Sequence, residues 1–206
     1  MDRPVARRLL ALSIYANAFV VGGVLMGFEM LGSRYLYPYF GGGIGTWAGL
    51  ISTVLLALTI GYFAGGEIVD RHPSPRVIGT AVGLAAAYLA LVPLSADRVM
   101  VGILGGIGDG PLGILAGAAA LLLLPLSFLG TFSPVAIRLL IRSTEESGRV
   151  AGFVYGVSTV GSVFGTLFTT FALIPTLGSR AITYLFAGIL ALSAVSLVLA
   201  RPEGRA

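Results

Sequence analysis

Residues 27–76, GFEMLGSRYLYPYFGGGIGTWAGLISTVLLALTIGYFAGGEIVDRHPSPR, decide the fold. One apolar segment ends there just past an acid, Glu29. A wet turn rich in Tyr and Gly follows, then a second long uncharged run, then Glu67 and a tight Asp70-Arg71 return broken by Pro73 and Pro75. Two membrane crossings and two opposite membrane surfaces are written in this stretch, and the rest of the chain repeats the pattern.

Composition fixes the solvent. The chain is 56% hydrophobic and 11% charged, with mean hydropathy +0.96, against roughly 25% charged residues in an ordinary soluble domain. Most segments are apolar all round, without the polar stripe of a helix that faces water. A spanning helix needs about 20 mostly apolar residues, and six segments qualify, near 10–35, 46–68, 77–94, 112–132, 150–173 and 181–200. Backbone groups in lipid must be satisfied internally, and runs this long and this rich in Leu, Ala and Gly are read as helices, not barrel strands. The expected fold is an all-α membrane protein: a single six-helix transmembrane domain over 1–206. Residues 99–108, apolar but half a span long and closed by Asp109-Gly110-Pro111, are expected to form an interfacial or re-entrant piece. The basic residues ahead of Leu9 resemble a signal peptide, but the uncharged run continues to Phe28, too long for a signal core, and reads as a permanent span.

Charge sets the predicted topology. All 13 basic residues are Arg. With both ends cytoplasmic, Arg3, Arg7, Arg8, Arg71, Arg76, Arg138, Arg142, Arg149, Arg201 and Arg205 lie inside, leaving only Arg34, Arg98 and Arg180 outside. These arginines sit singly or in twos at the edges of apolar runs, which excludes a nucleic-acid surface. The absence of Cys removes disulfides and thiolate chemistry, and with His72 as the one His no metal site is expected. No nucleophile elbow, phosphate loop or dinucleotide fingerprint is present, so no catalytic residue and no cofactor is assigned.

Ionisable groups within a membrane mark ion and substrate paths. That makes Glu29 and Glu67 candidate binding groups, with Arg34 a partner for Glu29 if the first helix ends between them. Gly152, Gly156, Gly161 and Gly165, among Ser158, Thr159 and Ser162, have the spacing of a close helix-packing seam. Thr46 is read as a helix cap, Ser133-Pro134 as the start of a short inner helix carrying Arg138 and Arg142, and Tyr35, Tyr37, Tyr39 and Trp47 as an outer aromatic belt. Pro125 and Pro175 are read as kinks or ends of helices.

The segments FEMLGSRYLYPYFGGGIGTW, GYFAGGEIVDRHP, SPVAIRLLIR and GRVAGFVYGVSTVGSVFGTLFTTFALIPTLGSR, in that order, resemble the membrane module of the membrane-bound, or fused major-facilitator, spermidine synthase-like family. The resemblance covers nearly the whole chain. It implies a bundle similar to one half of a major-facilitator transporter in a bacterial inner (plasma) membrane. Gly66, Asp70, Arg71 and Arg76 would then correspond to the cytoplasmic loop motif that locks one half against the other, although Pro73 and Pro75 depart from that pattern. Fused relatives carry a soluble aminopropyltransferase domain; the chain as given stops at Ala206 without it, so aminopropyl transfer is not expected.

Two functions follow as expectations. One is a half-size transporter for a polyamine-like or other small cationic solute, working as a homodimer or with another membrane subunit. The other is a non-catalytic anchor or structural subunit that meets a soluble aminopropyltransferase-like protein, or a larger complex, through Arg138, Arg142 and Arg149. Because the chain has no native thiol, single cysteines introduced at Asp2, Glu203 and Asp109 test the topology directly. The first two are expected to react with an impermeant maleimide from one side of sealed vesicles and the third from the other; ends labelled from opposite sides would overturn the six-span reading.

Overall fold

The computed structural model describes residues 3–141 and 143–200, with side chains described from Arg8 onward. Among these residues there is no strand. Six long helices, each long and apolar enough to cross a bilayer, make an integral membrane bundle. They are α1 (Arg3–Phe40), α2 (Ile44–Arg71), α3 (Pro75–Gly106), α4 (Pro111–Leu140), α5 (Thr144–Thr176) and α6 (Ser179–Leu199). Six crossings return the chain to its starting side, called here the terminal face.

The helices overrun the expected limits, and local chemistry explains where they stop. α1 runs on through Pro38 until Gly41, whose φ of +71° takes the left-handed turn that lets its N–H meet the Tyr37 carbonyl at 3.0 Å. Thr46 does not cap α2, which starts after Gly43; its hydroxyl donates back to the Phe40 and Gly41 carbonyls, at 3.3 and 3.0 Å, and ties the two helices. The expected separate piece at 99–108 is also corrected. Val99 to Gly106 continues α3 without a break until Gly108, at φ +92°, closes it in the same way. Asp97 and Arg98 mark a polar level on this helix, not its end.

The two suspected prolines act through their helices' registers. Pro125 follows a π-helical turn at Ala119–Leu123, and Pro175 follows another at Thr169–Leu173. Each proline lacks an N–H and crowds the carbonyl one turn back, so widening the preceding turn keeps the helix going where an α-helical register would clash. In α4 the Tyr88 hydroxyl of α3 donates to the Ala120 carbonyl inside the widened turn. The short inner helix of the sequence reading is the last part of α4, Phe132–Leu140; its lead-in is Thr131, bonded to the Phe128 carbonyl at 2.7 Å, rather than a Ser133 cap.

Packing pairs α1 with α5, α3 with α6 and α2 with α4, with α1 touching every other helix. Ile14, Ala18, Phe28, Leu31 and Leu36 of α1 are fully buried, whereas Phe63, Phe171 and Leu192 are 78%, 76% and 74% exposed, as suits lipid on the outside. Lipid is as apolar as a side chain, so helices must hold together by close approach and hydrogen bonds. Glycine supplies the approach. A Cβ on Gly161 would overlap the Phe19 backbone, one on Gly165 the Gly23 carbonyl, and one on Gly22 the Ser158 carbonyl. Ser162 then donates to the Gly22 carbonyl at 3.2 Å. Gly61 and Gly65 do the same for α2 against Ser127, Gly130 and Thr131 of α4.

The four-residue glycine stripe of α5 therefore splits: Gly161 and Gly165 pack on α1, while a Cβ on Gly152 or Gly156 meets nothing within 4 Å. Gly165→Val is expected to lose about 3 kcal/mol of stability or prevent folding, because backbone faces backbone and neither can yield. Gly188→Ala, on an open face of α6, is expected to be neutral or to gain up to about 1 kcal/mol. Thermal unfolding of the purified variants in detergent separates the two; equal behaviour would remove the seam as the source of stability.

Candidate functional site

Several polar groups buried between the helices are matched across α1 and α6, and others, Thr169 among them, are not. Asn17 of α1 accepts from Ser193 of α6 and donates to the Ser13 carbonyl at 2.8 Å and to Ser196 at 3.2 Å. Higher in the bundle, Tyr35 lies 2.9 Å from Thr183, whose own proton goes to the Ser179 carbonyl at 2.8 Å, so the phenol is the donor. Tyr35 is thus turned inward and is not part of a membrane-surface belt, which Tyr37 and Trp47 still fit by exposure. Beyond it, Asp97 of α3 binds Arg180 of α6 at 2.5 Å and accepts from Tyr39 of α1 at 3.2 Å. That cluster ties three helices at the face opposite the chain ends.

Glu29 lies between the Asn17 and Tyr35 levels, and both of those are fixed by contacts to the interior of α6. It stands ten positions short of Tyr39, about 15 Å below the Asp97 cluster at 1.5 Å per residue. The residue is 4% exposed, and among the described residues no hydrogen bond or ion pair joins its carboxyl. Arg34 does not serve it. The helix continues straight through to Phe40, which leaves the two side chains about 140° apart, and Arg34 is exposed.

At the depth of Glu29, α1 has neighbours on four helices. Gly32, one turn on and about 60° around the helix, faces Leu50 of α2 and Leu122 in the π-helical turn of α4. Gly27, on the far side of α1, faces Thr169 in the π-helical turn of α5 and Phe186 of α6. Both widened turns therefore flank α1 at the depth of its acid, and π turns often accompany functional sites. The hydroxyls of Thr169 and Thr170 in the α5 turn are buried without a partner. Since Gly27 and Glu29 point about 160° apart, these hydroxyls and the carboxyl belong to different sides of α1.

The other candidates fall on the terminal face. Glu67 is corrected from a membrane acid to a surface one: it is exposed and pairs with Arg71 one turn on, at 2.6 Å. Asp70 faces Arg138 of α4 at 3.6 Å, joining the ends of α2 and α4. Gly66 meets no neighbour, and Arg76 is exposed, its N–H held at 3.3 Å by the Ser74 cap of α3. Arg149 lies 3.7 Å from Glu146, and Arg142 lies outside the described residues. Among the described residues no group of acids and His is placed to hold a metal.

Glu29, Glu67 and Arg34 are thus not one constellation; only Glu29 is enclosed. Sequence reading missed the Asn17 and Asp97 clusters because their members lie far apart in the chain. Asn17 alone carried a signal, as an amide in an otherwise uncharged run. No family model matches the chain, and neither a curated protein nor a solved structure matches it significantly.

An enclosed carboxyl without a partner costs stability. Glu29→Gln is therefore expected to leave thermal stability unchanged or raise it by up to about 2 kcal/mol. A fall of that size in the detergent melting curve would mean that a protein group pairs with Glu29.

Proposed function

We propose that this chain is a half-size, transporter-like membrane protein for a small cationic solute or proton, with Glu29 as the binding group. The observation that carries the reading is a buried residue of the central helix whose carboxyl has no partner among the described residues, at the depth where two neighbouring helices break register. A carboxylate in that position calls for a neutralising cation or a proton, and among the described residues nothing supplies a fixed one. Such sites in transporters are set between two pseudosymmetric halves. One bundle gives one wall, so the working unit is a homodimer or a pair with another membrane subunit, and the resemblance to half of a major-facilitator transporter supports the same arrangement.

The terminal face is cytoplasmic in this reading, by the excess of arginine there. Two charges of the Gly66–Arg76 loop are engaged within the chain, Asp70 with Arg138 and Arg71 with Glu67. An inner gate would open by trading the exposed Asp70–Arg138 contact for one across to the second half; a pair this exposed is worth at most about 1 kcal/mol and is easily exchanged. A polyamine-like solute fits the acid and the family resemblance, in a bacterial inner membrane.

The test is flux in reconstituted vesicles. Wild-type protein is expected to carry a labelled cation such as spermidine or to move protons, and Glu29→Gln to lower the rate at least about tenfold, the loss of a charge-assisted contact, with assembly on size exclusion unchanged. Glu29→Asp is expected to retain part of the rate. Flux that ignores both substitutions, or is absent in the wild type, would move the protein to the anchor role.

A further inference from the structure

Gly152 and Gly156, which pack against nothing, shape the outer surface of α5. With no side chain at either position that surface is hollowed into an open apolar groove of about 370 Å³, lined by Phe19 of α1 and by Gly152, Phe153, Gly156, Val157 and Val160. Tyr15 of α1 meets Phe153 edge-on, with ring centres 4.9 Å apart. The lining is hydrocarbon almost throughout.

Charge stands at one end of this groove. Arg149 precedes Gly152, Gly156 and Val160 by three, seven and eleven positions, which sets it on the groove's own face of α5. Its side chain is 81% exposed, and the neighbouring acid is Glu146 at 3.7 Å, a loose pair that water screens. Arg8 precedes Tyr15 and Phe19 by seven and eleven positions, hence lies on the matching face of α1, and it too is exposed. The Tyr15–Phe153 contact sets the two parallel helices in register. From it, Arg8 lies about 10 Å and Arg149 about 6 Å toward the terminal face, so the two cations sit at nearly one depth.

We infer that the groove seats an acyl chain of an anionic phospholipid from the leaflet at the terminal face, with the headgroup phosphate held between Arg8 and Arg149. The dimensions agree with that occupant. Arg149 to Val160 is about 16 Å along the helix, and one leaflet of hydrocarbon is about 15 Å deep, half the bilayer core. A second copy's helix would leave the exposed Arg149 and Arg8 at the groove's end without an anion, whereas an anionic headgroup pairs with both. A water-borne solute would find nothing to bond in the lining. This inference is independent of the role given to Glu29.

Native mass spectrometry of the full chain in mild detergent, titrated with dioleoylphosphatidylglycerol or dioleoylphosphatidylcholine, tests it. Each arginine is expected to favour the anionic lipid about fivefold, and the double substitution R8Q/R149Q to bring it down to the level of phosphatidylcholine. G156L, whose Cβ would meet no neighbour within 4 Å, is expected to reduce adducts of both lipids, with helicity by circular dichroism unchanged. Equal binding of the two lipids by wild type, or anionic-lipid binding unaffected in both variants, would overturn the assignment. So would a dimer of wild type that G156L dissociates, since the groove would then be covered by a second copy.

Discussion

The backbone of α5 rests directly on that of α1, and the arrangement of the bundle depends on that contact. Gly161 and Gly165 face Phe19 and Gly23, and Gly22 faces Ser158, with no side chain interposed. In lipid no water is released when two apolar helices meet, so dispersion at short range and hydrogen bonds such as Ser162 to the Gly22 carbonyl must hold them. Fixing α5 there keeps α1 at the centre, where it touches every other helix. It also brings the widened turn of α5, with Thr169, against Gly27.

Polar groups divide by whether that packing gave them partners. Asn17 with Ser193 and Ser196, and Tyr35 with Thr183, are joined across α1 and α6, and the Asp97–Arg180 pair closes the opposite face with Tyr39. Each of these replaces lost hydration by a hydrogen bond, which is the condition for burying a polar atom. Glu29 has no such replacement. A side chain that the fold encloses but does not satisfy is the natural place to expect an exchangeable charge, and this contrast with its matched neighbours gives the transport reading its force.

The terminal face works differently. Glu67, Asp70, Arg71, Arg138, Glu146 and Arg149 are exposed or nearly so, and their pairs span 2.6 to 3.7 Å. Such contacts stabilise little in water and are readily exchanged. In the proposed readings these are the charges that would be exchanged, with a second half at the α2 end and with a lipid headgroup at the start of α5.

Six helices, their membrane setting and the turns between them were written in the chain, because long uncharged runs and Gly or Pro punctuation are local properties that lipid enforces segment by segment. The positions of Pro125 and Pro175 were visible, but not the π-helical turns before them, since widening a turn is settled by what the neighbouring helices allow. Val99–Gly106 read as a separate piece because Asp97 and Arg98 interrupt the hydropathy, but backbone hydrogen bonding carries the helix past them to Gly106. Depth and partnership were left to tertiary structure. Glu29 and Glu67 each follow about twenty uncharged residues and look alike in sequence. One is 4% exposed on the central helix α1, and the other ends exposed beside Arg71. Likewise the four glycines of α5 became two packed and two open: the five-residue step from Gly156 to Gly161 turns the two pairs about 140° apart, and only the crossing of α1 chose which pair was packed.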